Sequence, residues 1–159
     1  MQRPLNLQDR YAGFERGKIT NNEPQNPDLG YSTAYHGRHL GEATIYVYDL
    51  GQEDIPDGPT SRTILDEFNR ATNDVLALPI NGRRVELIDR YGTGAPDRGK
   101  EFLCAEFVLE DEVGRRRSFL YLTGADRHFV KIRVTLRSND PADPTAREFA
   151  DAVAFHLWD

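Results

Sequence analysis

Cysteine is nearly absent: Cys104 is alone in 159 residues, so no internal disulfide can form and cysteine usage says little about redox compartment. No apolar run approaches the eighteen or more residues that a spanning helix needs, which excludes a helical membrane span. Basic excess is lacking too. Lys and Arg number 20 against 26 Asp and Glu, and a net charge of −6 argues against broad attraction to phosphate backbones or anionic lipid. Nucleic acid is therefore not an expected partner. The opening residues MQRPLNLQDRYAG lack the apolar segment of a secretory leader. The expected location is cytoplasmic, or periplasmic or secreted if a leader was removed ahead of Met1.

What is present describes an ordinary globular chain, with 38% hydrophobic and 29% charged residues. A chain of this length is expected to form one domain over 1–159 and to bury roughly 70% of its unfolded surface. Its most informative stretch is Gly41 to Gly58, GEATIYVYDLGQEDIPDG. Ala43, Ile45 and Val47 alternate with Thr44, Tyr46 and Tyr48, the period of a pleated strand, and neither face is plainly polar. Upstream, Phe14 to Thr20 reads as a short first strand, NNEPQNPD as a loop, and Tyr31 to His36 as a strand that makes a hairpin with the one at Ala43.

After the loop LGQEDIPDGP, Thr60 or Ser61 can cap a helix whose stripe is Ile64, Leu65, Phe68, Ala71, Thr72, Val75 and Leu76, stopped at Pro79. Four strands follow as a meander: Val85 to Tyr91, Glu101 to Glu110, Arg117 to Thr123 and a last one through Val130, Ile132, Val134 and Leu136. Turns are expected at GTGAPDRG, at Glu112 to Arg116 and at Gly124 to Arg127. Asp143 and Pro144 open a second helix with Phe149, Ala150, Val153 and Leu157 on its stripe. The expected fold class is α+β: a single antiparallel sheet of about six or seven strands with helices packed on it. Ile45, Val47, Phe68, Leu76, Leu103, Phe107, Val130, Ile132, Val134 and Val153 are its expected core.

This order of elements resembles the PsbP-like superfamily, with ATIYVYDLG and FVKIRVTL at the family's central strands. More narrowly, ATIYVYDLGQEDIPDG and FLYLTGADRHFVKIRVTL are similar to a bacterial branch of exported proteins. The resemblance implies an α/β/α sandwich and a non-enzymatic binding or assembly module, since the family shares no active site to carry over.

Chemistry is sparse, and the residues name no catalytic group, metal site or cofactor motif. His36, His39 and Glu42 are zinc-ligating types, but they straddle a turn. Together with His128 they are the residues that an alternative small metal-dependent or hydrolytic enzyme would use. Asp49, Glu53, Asp54 and Asp57 offer hard oxygens without the spacing of a calcium loop. Gly92, Gly94 and Gly99 beside Arg90 and Arg98 do not open a helix, as a phosphate-cradling loop would. Cys104 reads as a small core residue. The expected docking place for an unidentified protein partner is Tyr31, Tyr35, Tyr46 and Tyr48, brought to one face by the hairpin, beside Asp49, Asp54 and Asp57.

Overall fold

The computed structural model describes residues 7–24, 28–77, 84–93 and 101–157. The alternating stretches become eight strands: β1 (Arg10–Tyr11), β2 (Phe14–Asn21), β3 (Tyr31–Gly37), β4 (Gly41–Tyr48), β5 (Arg84–Thr93), β6 (Phe102–Asp111), β7 (Gly114–Ala125) and β8 (His128–Leu136). Helix α1 (Arg62–Ala77) links β4 to β5, and α2 (Thr145–Leu157) follows β8. The strands form one antiparallel sheet in the order β1-β2-β3-β4-β8-β7-β6-β5. No helix among the described residues is long and apolar enough to cross a membrane.

This corrects the expected architecture. The chain is mostly strand, and its sheet has eight strands curled into an open half-barrel, not the six or seven expected. The extra strand is β1, too short at two residues to show any period. Ala12 and Gly13, both at positive φ, fold it back on β2. Two turns are also tighter than expected. The run Arg115 to Arg117 lies inside β7, not in a turn, and Arg116 and Arg117 pair with Asp111 at 2.6 Å and Glu106 at 3.1 Å. The β7–β8 turn is only Asp126 and Arg127, both at positive φ. The glycines and arginine expected to loop at 94–99, and the helix stop at 79, lie outside the described residues.

Each face of the sheet carries one helix. On one face Phe14, Tyr35, Ile45, Tyr121 and Ile132 pack with Phe149 and Val153 of α2. Asp143 caps that helix through the Thr145 amide at 3.0 Å, as expected. On the other face Tyr48, Phe107, Leu120, Leu122 and Phe129 pack with Ile64, Phe68, Ala71 and Val75 of α1. Ser61 caps α1 through the Ile64 amide at 3.2 Å.

The α1 stripe departs from its expectation in one way that matters below. Leu65 and Leu76 stand 39% and 40% exposed, while Glu67 is buried at 5%. The helix is rotated so that a carboxylate goes inward, where the Tyr48 hydroxyl and Arg70 receive it. Gly124 is required where the Ile55 loop crosses the sheet: its amide and carbonyl exchange bonds with Gly58, and a Cβ there would meet the Pro56 carbonyl oxygen at 1.9 Å.

Candidate functional site

The β3–β4 register decides what the expected tyrosine patch becomes. Tyr31 stands opposite Val47, and Tyr35 opposite Ala43. Residues directly opposite share a face, so odd positions of β3 meet odd positions of β4. Tyr31 and Tyr35 therefore lie on the α2 side and Tyr46 and Tyr48 on the α1 side, and the four rings form no common patch. Tyr35 is buried, donates to the Gln8 carbonyl at 2.7 Å and meets the rings of Tyr11 and Phe149. Tyr31 is half-buried. Of the acidic residues, Asp49 accepts the Gly51 amide at 2.9 Å, a local turn contact, while Asp54 and Asp57 are exposed.

The histidines do not converge. His36 and Glu42 pair at 2.5 Å across the β3–β4 hairpin, His39 sits in its turn at φ 65°, and His128 bonds the Asp126 carbonyl at the far end of β8. Among the described residues no three or more His, Cys, Asp or Glu side chains are grouped to hold a metal ion.

Cys104 is fully buried on β6. Burial pushes its thiol up to about 12, and the neighbouring Glu106 and Asp89 charges add to this against the opposing Tyr91 and Tyr121 hydroxyls. Thiolate is the reactive form, so Cys104 is expected to stay unmodified by Ellman's reagent in native protein near neutral pH and to react with one equivalent in denaturant. Prompt reaction of the folded protein would show the thiol to be accessible and activated.

The concave surface of interest lies on the α1 face. Helix α1 stands over β5, β6 and β7, so side chains of β8 and β4 emerge along its flank. Ala71, Asp74, Val75 and Ala77 of α1 form one wall of a groove of about 420 Å³, and Tyr46, Leu120, Lys131 and Arg133 form the floor and the other wall. Its volume is within the usual size range of small-molecule sites, and it is an open groove whose lining is as much polar as apolar.

Lys131 is placed there by register. It pairs with Tyr46 on β4 and Leu122 on β7, so it projects from the α1 face in the middle of the sheet. Its ammonium lies 4.6 Å from the centre of the Tyr46 ring and 5.5 Å from that of Tyr48, two rings on one face of one strand. Among the described residues Lys131 makes no hydrogen bond and no ion pair. Burial holds its ammonium below the usual lysine range. Glu67 pulls the other way, Arg133 and Arg70 push further down, and Asp74 pulls up.

The nearby carboxylates are engaged elsewhere. Arg70 grips Glu67 with two bonds, at 2.6 and 2.7 Å, and reaches Asp74 at 2.9 Å. Glu67 also accepts the Tyr48 hydroxyl, whose proton is held well above the usual phenol range by burial and by the Glu67 charge. Arg133 donates to Ser118 Oγ at 2.7 Å and to the Phe119 carbonyl at 3.2 Å.

Sequence reasoning named Tyr46 and Tyr48 but missed Lys131, Arg133, Glu67, Arg70 and Asp74. The available signal was two basic residues, Lys131 and Arg133, alternating with Val130, Ile132 and Val134 on a strand expected to be central. In comparisons with known proteins, neither a family model nor a curated protein matches the chain. The site is therefore judged by its own geometry and charge.

Proposed function

We propose that this protein acts by binding, as a non-enzymatic module whose small-molecule ligand occupies the groove between α1 and strands β4, β7 and β8. The observation that carries this reading is the lining itself. Apolar groups from α1 and β7 face cationic and aromatic groups from β8 and β4 across about 420 Å³. The scatter of His36, His39 and His128 supports binding over the metal-dependent or hydrolytic alternative, because general acid-base or metal chemistry needs those side chains gathered in one concavity.

The test is a fragment screen read by methyl NMR on protein labelled at alanine, valine and leucine. Ligands are expected to move the methyls of Ala71, Val75, Ala77 and Leu120 as a set and to leave those of the α2-facing core in place. A screen of several hundred fragments that moves none of the four, in protein with an intact methyl spectrum, rejects the groove as a binding site.

A further inference from the structure

We infer that the occupant of this groove is a small monocarboxylate with an apolar body, its carboxylate seated on Lys131. The inference rests on the groove being the binding site and adds the ligand's charge and orientation.

The side chain of Lys131 is partly buried, and among the described residues its ammonium makes no hydrogen bond or ion pair, although the charges of Glu67 and Asp74 are near enough to act on it. A charge that has lost part of its hydration gains from a direct partner, because the faces of two rings return only part of that loss. The two carboxylates near enough to serve are both held by Arg70 on the opposite wall. A carboxylate entering the groove would accept charge-assisted hydrogen bonds from an ammonium that has three donors to offer.

The rest of the lining limits the ligand further. Ala71, Val75, Ala77 and Leu120 give the remainder of the molecule an apolar seat. Asp74 lines the same space, so a second negative charge on the ligand would face a carboxylate. One unit of negative charge matches the site, which favours a carboxylate over a phosphate dianion.

Octanoate and octanamide are matched probes, alike in chain and different in charge. Octanoate is expected to move the groove methyls and to bind at least tenfold more tightly than octanamide. The Lys131→Met variant, checked by its methyl spectrum, is expected to lose that preference, and Lys131→Arg to keep most of it. Octanoate affinity should also fall as pH rises toward Lys131 deprotonation, which burial has brought below the ordinary 10.5, because the anion is held by the charged form. The groups facing that titration are Glu67, Arg70 and Asp74 of α1, Arg133 of β8, and Tyr46 and Tyr48 of β4.

Equal binding of amide and acid at the same methyls overturns the inference and leaves the groove reading intact. So does a preference unchanged by Lys131→Met, or displacement of octanoate by inorganic phosphate at lower concentration. If neither octanoate, octanamide nor any screened fragment moves the methyls, the groove reading itself fails.

Discussion

Ile132→Asp is expected to remove the cooperative unfolding transition altogether. Ile132 has no solvent exposure and sits between Ile45 of β4 and Tyr121 of β7, in the middle of the sheet and of the α2-facing core. A carboxylate there has no partner. Whether it stays charged or takes up a proton, the penalty is several kcal/mol, against a total stability for such domains of about 5 to 15 kcal/mol. Circular dichroism with thermal melting reads the outcome. Ile132→Val, which removes one methylene, is expected to cost only about 1 kcal/mol and to melt cooperatively. An aspartate variant that melts like the parent would show that this face of β8 is not inside.

Removing the Glu67 carboxylate should have the next largest effect. It is the one acidic side chain buried among the described residues, and it holds both the Tyr48 hydroxyl and the Arg70 guanidinium. Glu67→Ala leaves the hydroxyl of a buried tyrosine without its acceptor and opens a gap beneath α1. Breaking a buried charge pair from one side costs about 3 to 5 kcal/mol. The lower end applies here, because Arg70 is half exposed and can turn to water and to Asp74.

Urea unfolding is expected to show a loss of about 3 kcal/mol for Glu67→Ala, and a smaller one for Tyr48→Phe, which removes a hydrogen bond and orphans nothing buried except one carboxylate lone pair. The double variant should be less destabilised than the two single losses added together, since each removes the other's partner. Additive losses would mean that Tyr48 and Glu67 do not act as a pair.

Local pattern was enough to locate most elements. The alternation from Ala43 to Tyr48, the α1 stripe, the four-strand meander and the Asp143 cap all produced the element expected of them, with ends shifted by a few residues. Three features needed information that a single chain does not carry in its periodicity. The strand at Arg10–Tyr11 is too short to alternate. The rotation of α1 that buries Glu67 and exposes Leu65 and Leu76 goes with a donor on a distant strand, the Tyr48 hydroxyl, which the helix's own pattern does not show.

The parity of the β3–β4 register is fixed by the turn at 38–40, and one residue more or less would have put all four tyrosines on the same face. The site was harder still. Lys131 reads as a solvent-facing residue on an alternating strand, and only the pairing of β8 with β4, set by tertiary structure, brings it over the rings of Tyr46 and Tyr48.

The strand order has a kinetic consequence. Strands β1 to β4 each pair with their neighbour in sequence, and so do β5 to β8, so nearly every hydrogen-bonded ladder closes a short loop. The exception is the seam between Gly41–Tyr48 and His128–Leu136, which joins the first third of the chain to its last quarter. The entropy lost in closing a loop grows with its length and must be met before the contacts return anything, so distant strand pairings are slow. This makes the molecule two quickly made meanders that wait on one another. Helix α1 leaves the first and docks on β5, β6 and β7 of the second, and so acts as the tether that shortens their search.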